Sequence, residues 1–224
     1  MATPSAEPVS RHHWSDWVGL IAFTTLALLL WRRSVEFGLA LLPVFCYELL
    51  AAISFIVRRP LRRGSAGVVP RLVAYAHSFM PMIFLEAAGR WRPEWLRRTD
   101  DAALNLVGIG MWLAGVLIAF WPMWHLRTAF SIEPQARVLV TSGPYRFARH
   151  PIYTVYLLIN AGLWLRHPTP QFALLLAIWG VLLLLRVRCE EQVLAAAFPE
   201  YAAYRRRVGA FGPRSGGPAP AREV

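Results

Sequence analysis

Long apolar stretches run through this sequence almost from one end to the other, and they limit what the chain can fold into. Hydrophobic residues make up 56% of the 224 positions and charged residues only 17%, whereas roughly 25% of residues are charged in soluble domains. The mean hydropathy is +0.40. A water-soluble fold cannot bury that much apolar surface, so the pattern predicts helices that cross a lipid bilayer.

Six apolar segments are long enough, or nearly so, to form membrane-spanning helices, since a crossing needs about 20 residues. Tryptophans lie near the ends of several of them, where an amphipathic ring favours the membrane interface. The predicted fold is therefore all-α, a polytopic transmembrane helical bundle of about six spans that ends in a cytoplasmic amphipathic helical segment. The predicted spans are residues 17–31, 36–57, 70–89, 102–124, 151–165 and 171–187.

The remaining composition divides the chain into four parts. Residues 1–13 are polar, and residues 211–224 are rich in Gly, Pro and Arg, so both are predicted to be disordered tails. Residues 14–100 are predicted to form the N-terminal transmembrane helices. Residues 101–210 are predicted to form a core of the last three spans, the polar loop between them and the C-terminal helices.

All 24 basic side chains are arginines, and their distribution predicts an orientation in the membrane. With six spans, most of them fall on the side that holds both termini and the long loop after residue 124. The positive-inside rule places this side in the cytoplasm. Anionic membrane lipids are the expected partners of these arginines. Nucleic acid is not an expected partner, because the predicted spans leave no soluble basic domain to bind it.

The loop before the fifth span interrupts the apolar pattern with residues that can bind polar ligands. Residues 139–145 indicate a short extended piece followed by a Gly-Pro turn. Arg149, His150 and Pro151 then open the fifth span, with the proline at the first helical position. Free backbone N–H groups at such a helix start suit an anion. A solvated basic loop that faces lipid headgroups is the alternative interpretation.

A second polar cluster follows the sixth span. If that helix continues, Arg186 and Glu190 lie on one face, whereas Glu191 points about 100° away. An exposed ion pair, worth roughly a few tenths of a kcal/mol, is the alternative. The residues beyond have amphipathic spacing and are expected to fold back over the loop before the fifth span. Pro199 is predicted to divide this segment into two helices.

Together the two clusters carry a family resemblance. The first reads LVTSGPYR at residues 139–146 and RHPIY at residues 149–153, and the second contains Arg186, Glu190, Glu191, Leu194, Phe198, Tyr201 and Tyr204. Over residues 126–208 the chain resembles the isoprenylcysteine carboxyl methyltransferase family, in its bacterial type. One feature departs from the family pattern, which has Phe-Gly, two further residues and Tyr: residues 198–201 read Phe-Pro-Glu-Tyr, one residue shorter.

The resemblance implies a multi-pass methyltransferase of the bacterial inner (cytoplasmic) membrane, with its active site and both termini cytoplasmic. It would use S-adenosylmethionine and methylate a carboxylate, thiol or amine on a lipophilic small molecule, lipid or lipidated substrate. An amine could need a base, for which His125 and Glu191 are candidates. Arg186 is assigned to the substrate's reacting end, as the catalytic and substrate-binding residue. The implied cofactor contacts are Arg137, Val138, Leu139, Val140, Tyr145, His150, Pro151, Ile152, Tyr153 and Glu190.

Three ionisable residues inside the predicted spans support a different function. Glu48, His77 and Glu86 lie in apolar segments, where such groups are often functional. A non-enzymatic transporter or scaffold protein that uses them is therefore the alternative to an enzyme. In the alternative interpretation, these residues pair with one another or extend to the membrane interface and have no functional role. Because His77 has no second histidine at ligand spacing, we expect no metal site.

Overall fold

The computed structural model describes residues 14–37, 41–64 and 67–214. The protein is helical, as predicted. The predicted tail 1–13 and most of the predicted tail 211–224 lie outside the described residues. The described helices are α1 (Trp14–Phe37), α2 (Leu42–Val57), α3 (Val69–Trp91), α4 (Ala102–Leu126), α5 (Pro151–Arg166), α6 (Pro170–Ala197) and α7 (Tyr201–Arg207), with short 3-10 turns at Pro93–Leu96 and Gly143–Arg146.

Three of the described helices, α3, α4 and α6, are long and apolar enough to cross a membrane. They contain 23, 25 and 28 residues, and a helix rises about 1.5 Å per residue. The apolar part of α1, Asp16–Leu29, and the whole of α2 are shorter, and α5 has 16 residues. The bundle of six complete spans therefore stays a prediction, while three helices of spanning length are observed in the described part of the chain.

Helices α4 and α5 approach each other through glycines. A Cβ added at Gly108 would lie 2.6 Å from the carbonyl oxygen of Gly162, and one at Gly115 would lie 2.5 Å from the Ile159 side chain. Small residues permit such close backbone contact, which is a common way for helices to pack inside a membrane. This contact fixes α5, and with it the residues at its start, against α4.

The loops at one end of the bundle are joined by backbone hydrogen bonds. A two-residue ladder pairs β1 (Arg63–Gly64) with β2 (Gln135–Ala136) in antiparallel register, which connects the loop after α2 to the loop after α4. A further parallel bridge joins Ala148 to Gly209. Because α5 begins nearby and α6 ends there, this end of the molecule gathers both polar clusters of the sequence.

Helix α6 ends at Ala197 and α7 begins at Tyr201, so the predicted break at Pro199 is confirmed. A small apolar core holds α7 against α6 and β2. Its buried residues are Ala136, Val193, Phe198, Tyr201, Tyr204 and Val208. The amphipathic segment thus folds back toward the loop before α5, as its periodicity indicates.

Candidate functional site

Arg186 and Glu190 lie one turn apart on α6 and share a face, as their spacing predicts. Arg186 Nε donates to Glu190 Oε1 at 3.0 Å. The hydroxyl of Tyr153, from the first turn of α5, donates to the same oxygen at 2.5 Å. The Glu190 side chain keeps 20% of its surface exposed. Its carboxylate is therefore oriented by two donors and still has an accessible side.

His150 lies between two carboxylates at the start of α5. Its Nδ1 is 3.7 Å from Glu190 Oε2, and its Nε2 is 3.3 Å from Glu191 Oε1. The buried imidazole also stacks on the Tyr153 ring, with 5.6 Å between centroids and an interplanar angle of 11°. His150 thus links two adjacent acids of α6 to one aromatic side chain of α5.

Glu191 points away from Glu190 and joins α6 to the C-terminal segment. Its Oε1 accepts from Arg149 Nε at 2.9 Å and from Arg149 Nη2 at 2.6 Å. Arg149 Nη1 in turn donates to the carbonyl oxygen of Val208, which follows α7. Arg205 Nε lies 3.5 Å from the second oxygen of Glu191. This network holds α7 over the site.

The Arg186 guanidinium is buried and directed at protein acceptors. Its Nη1 lies 2.7 Å from Ser78 Oγ, 3.2 Å from the carbonyl oxygen of Ala74 and 3.3 Å from His77 Nδ1. Its Nη2 donates to the carbonyl oxygen of Ile132 at 2.8 Å. Together with the hydrogen bond from Nε to Glu190, these contacts involve all three guanidinium nitrogens of Arg186. The side chain therefore connects α6 to α3 and to the loop after α4.

The chain's own carbonyls cover part of the start of α5. The backbone N–H of Arg149 donates to Gly209 and that of His150 donates to Ala210, both at 2.9 Å. Thr154 Oγ1 donates to the Phe211 carbonyl oxygen at 2.9 Å. Proline stands at the first helical position, as predicted. The helix start that the sequence suggests for an anion is thus partly used by residues 209–211.

The predicted Gly-Pro turn is a 3-10 turn whose geometry requires glycine. Gly143 has φ +58, and a Cβ there would lie 2.3 Å from His125 Nε2. The turn buries Tyr145, whose carbonyl oxygen accepts from the Tyr204 hydroxyl at 2.6 Å. Burial is the main cause that raises the pKa of both phenols above the usual range. Both therefore carry their protons at neutral pH.

Arg137 lies in a second buried charge cluster. Its Nη2 is 3.1 Å from both carboxylate oxygens of Asp16 in α1, and its Nη1 donates to the carbonyl oxygen of Arg59 at 2.6 Å. Arg58 Nη2 lies 2.8 Å from the same carboxylate. Burial, followed by the Arg137 charge, lowers the pKa of Arg58 to about 10. The cluster ties α1 to the loops that follow α2 and α4.

A cavity of about 950 Å³ extends from the two polar clusters into the helical bundle. Among the predicted site residues, Arg137 and Pro151 are not part of its described lining. The predicted residues that line it are Val138, Leu139, Val140, Tyr145, His150, Ile152, Tyr153, Arg186 and Glu190.

The other end of the cavity is mainly apolar and is formed by α1, α2, α3 and α4. Phe23, Leu26, Phe79, Met82 and Val116 are among its lining residues. The ionisable Glu48, His77 and Glu86 also line the cavity, and His77 does so next to Arg186. These three ionisable groups of the predicted spans therefore face the same cavity as the polar motifs. Over the described residues, no group of three or more His, Cys, Asp or Glu side chains is placed to hold a metal ion.

Several lining residues were not predicted as site residues. Arg149 precedes His150 in the Arg-His-Pro motif, and Tyr201 and Tyr204 belong to the second cluster, so sequence signals for all three existed. Tyr47 and Tyr156 also line the cavity, with 2.8 Å between their hydroxyl oxygens. They are 109 residues apart. Since only packing brings these two helices together, no local pattern indicates that pair.

Two curated proteins are similar to parts of this chain. The cobalt-zinc-cadmium resistance protein CzcN of Cupriavidus metallidurans is 46% identical over 77 residues, which cover 34% of this chain and 36% of that protein. The nickel-cobalt-cadmium resistance protein NccN of Alcaligenes xylosoxydans xylosoxydans is 34% identical over 130 residues, which cover 56% of this chain and 55% of that protein. The chain thus spans about a third and about half the length of these relatives.

The family model of the phospholipid methyltransferases matches residues 104–201. The matched part begins in α4 and ends at the first residue of α7, so it contains the loop before α5, the Arg-His-Pro motif and the acidic pair of α6. These segments carry the sequence resemblance, and they contribute Arg149, His150 and Glu190 to the lining of the cavity. Over residues 104–201, the chain is therefore similar to the phospholipid methyltransferases, and this match supports the family resemblance that the two polar clusters carry.

Proposed function

We propose that the chain transfers a methyl group from S-adenosylmethionine to a lipophilic acceptor inside this cavity. The observation that carries the proposal is the change in lining along one cavity: charged and polar side chains of the family motif at one end, and apolar side chains of the bundle at the other. A polar cofactor and an apolar acceptor need these two environments side by side. Ligand sites of this kind combine an apolar wall with a few placed polar groups.

The residues at the polar end fit the chemical groups of S-adenosylmethionine. The Glu190 carboxylate, oriented by Tyr153 and Arg186, offers an anion with an accessible side to the cofactor's ammonium group. The rings of Tyr145 and Tyr153 can flank adenine or the positively charged sulfur. Residues 138–141 have irregular backbone, which leaves N–H and C=O groups for the polar edges of a base.

When bound, S-adenosylmethionine supplies a methyl group on a positively charged sulfur. The chain's contribution is to align the acceptor with that methyl and to exclude water, because a direct displacement depends on orientation. The network of Glu191, Arg149 and the segment after α7 covers the polar end and serves this exclusion. The N–H groups of Arg186 are directed at other protein atoms. We therefore assign Arg186 the role of orienting Glu190 within the substrate site.

The location of the polar end supports an acceptor that arrives through the bilayer. The loops beside it carry many of the arginines, which favours a cytoplasmic position in a bacterial inner membrane. The apolar end lies among α1, α2, α3 and α4, two of which are of spanning length. We infer that a lipophilic molecule reaches the cavity from the membrane and meets the cofactor at its cytoplasmic end.

Cofactor binding to the purified protein in lipid nanodiscs tests this function. Isothermal titration with S-adenosylmethionine should show binding, and Glu190→Gln should weaken it roughly tenfold or more because a charged contact is lost. Glu200→Gln, an exposed acid outside the cavity, is the matched control and should bind like the original protein. Membranes incubated with methyl-labelled cofactor would then identify the labelled acceptor.

Two results would overturn the proposal: no binding by the original protein, or equal affinity in Glu190→Gln. A transporter or scaffold protein is the second candidate, because Glu48, His77 and Glu86 face one cavity. It is favoured if the cofactor does not bind and if replacing those three residues removes a measurable flux or a partner contact.

A further inference from the structure

His77 lies on α3, outside the segment that matches the methyltransferase family. It is only 3% exposed and lines the cavity beside Ser78. Its ring stacks on Trp179, with 5.0 Å between centroids, and meets the Tyr153 ring edge to face at 5.7 Å. The packing of both aromatic rings fixes the orientation of the imidazole.

Arg186 determines which nitrogen of His77 carries the proton. Arg186 Nη1 lies 3.3 Å from His77 Nδ1, and a guanidinium nitrogen can only donate. The Nδ1 atom must therefore accept, which places the proton of a neutral imidazole on Nε2. Protonation of both nitrogens is disfavoured because it would direct an N–H at a buried cation.

The Nε2–H of His77 has no hydrogen-bond partner within the described ranges 14–37, 41–64 and 67–214. A buried donor without a partner costs about 1–3 kcal/mol, so native proteins seldom leave one unused. Here the donor belongs to a fixed ring that faces a cavity. A ligand atom in that cavity is the partner that the arrangement lacks.

We propose that His77 holds the polar end of the lipophilic acceptor, by donating from Nε2–H to an oxygen atom of that group. That the bound molecule is the methyl acceptor rests on the proposed function, whereas the binding site itself rests on the geometry of His77. An oxygen is the expected partner because Nε2–H and the nearby guanidinium both create positive potential, which repels an ammonium group and attracts a carboxylate or carbonyl oxygen. His77 thus selects for an oxygen-bearing acceptor over an amine.

The position of His77 suits this role. Arg186 contacts Glu190 through Nε and His77 through Nη1. One guanidinium therefore lies between Glu190, which is proposed to bind the cofactor, and His77, which is proposed to bind the methyl acceptor. An acceptor held by His77 would therefore lie next to the methyl donor, with its apolar chain among the side chains of the bundle. His77 acts as a substrate-binding residue, because it contacts the acceptor directly and moves no proton.

Two conservative substitutions separate the proposed contact from structural effects. In His77→Gln, the side-chain amide reaches the place of Nε2 and can still donate into the cavity. In His77→Asn, the shorter amide reaches the place of Nδ1, so it can still accept from Arg186 but offers no donor to the cavity. The probes are radiolabelled dodecanoate and dodecylamine, titrated onto the protein in nanodiscs, with S-adenosylhomocysteine titrated separately.

We expect dodecanoate to bind the original protein and His77→Gln within about threefold of each other, and His77→Asn roughly tenfold more weakly. Dodecylamine should bind all three proteins alike, as should S-adenosylhomocysteine. Equal dodecanoate affinity in all three proteins, or equal loss in both variants, would overturn the inference. If S-adenosylhomocysteine fails to bind while the dodecanoate pattern holds, the methyltransferase proposal falls and the acceptor site stands.

Discussion

Arg186 and Glu190 form an ion pair of 3.0 Å on one face of α6, and this pair joins the two halves of the molecule. Glu190 belongs to the family motif and contacts Tyr153 and His150 of α5. Arg186 also binds Ser78 of α3, which the family model does not match. The polar end of the cavity therefore depends on helices from both halves of the chain.

Arg186→Leu should destabilise the protein because several buried acceptors lose their donor together. Removing one partner of a buried pair typically costs about 3–5 kcal/mol. Arg186→Lys should give an intermediate result, since an ammonium cannot reproduce the planar set of donors. Thermal unfolding in detergent, followed by tryptophan fluorescence, measures the effect. Arg188→Leu, an exposed arginine of the same helix, is the control and should change the Tm little. A similar Tm for Arg186→Leu and Arg188→Leu would contradict this assignment.

Gly143→Ala should lower stability for two reasons. The positive φ costs an L-residue roughly 1–2 kcal/mol, and the added Cβ would meet the His125 ring 2.3 Å away. The double variant Gly143→Ala with His125→Ala should recover part of the loss, because it removes the collision and keeps the strain. Gly180→Ala, where a Cβ has open space, is the control. Thermal unfolding of the four proteins checks this, and no recovery in the double variant would show that the ring contact is unimportant.

Gly162→Ala should separate α4 from α5. Its Cβ would lie 2.6 Å from the carbonyl oxygen of Gly108 and 2.8 Å from the backbone nitrogen of Trp112, and backbone atoms cannot move aside as a side chain does. We expect a lower Tm and weaker cofactor binding, since α5 carries His150 and Tyr153. Gly110→Ala has open space on α4 and should be neutral or stabilising by about 0.5–1 kcal/mol. The prediction is wrong if both alanine variants melt alike.

Glu191→Gln should loosen α7 without unfolding the bundle. Arg149 makes two hydrogen bonds to this carboxylate, and both side chains are about nine-tenths buried. The arginines of α7 are already exposed, but trypsin also needs an unfolded backbone around them. Loss of the charge should let α7 open locally more often, and we expect cleavage at residues 205–207 roughly tenfold faster. Glu94→Gln, an exposed acid at the other end of the bundle, is the control. Equal cleavage rates in both variants would show that Glu191 does not hold α7.

The helical fold and the two polar clusters followed from local patterns in the sequence. Apolar length predicts helices, and the spacing of Arg186 and Glu190 predicts their common face, because both depend on residues close together in the chain. The expected count of six spans has a weaker basis. Whether a short apolar helix such as α2 or α5 crosses fully depends on its tilt and its neighbours, which apolar length does not describe.

By itself, the sequence determined that the chain is helical and apolar, and that two polar motifs that resemble one methyltransferase family lie on either side of a helix pair. Only the tertiary structure decided which distant residues complete the site. Arg137 meets Asp16 across 121 positions, and His77 meets Arg186 across 109 positions. Helix periodicity fixes a side chain's direction on its own helix, but the partner it meets is set by how helices pack, which no local pattern contains.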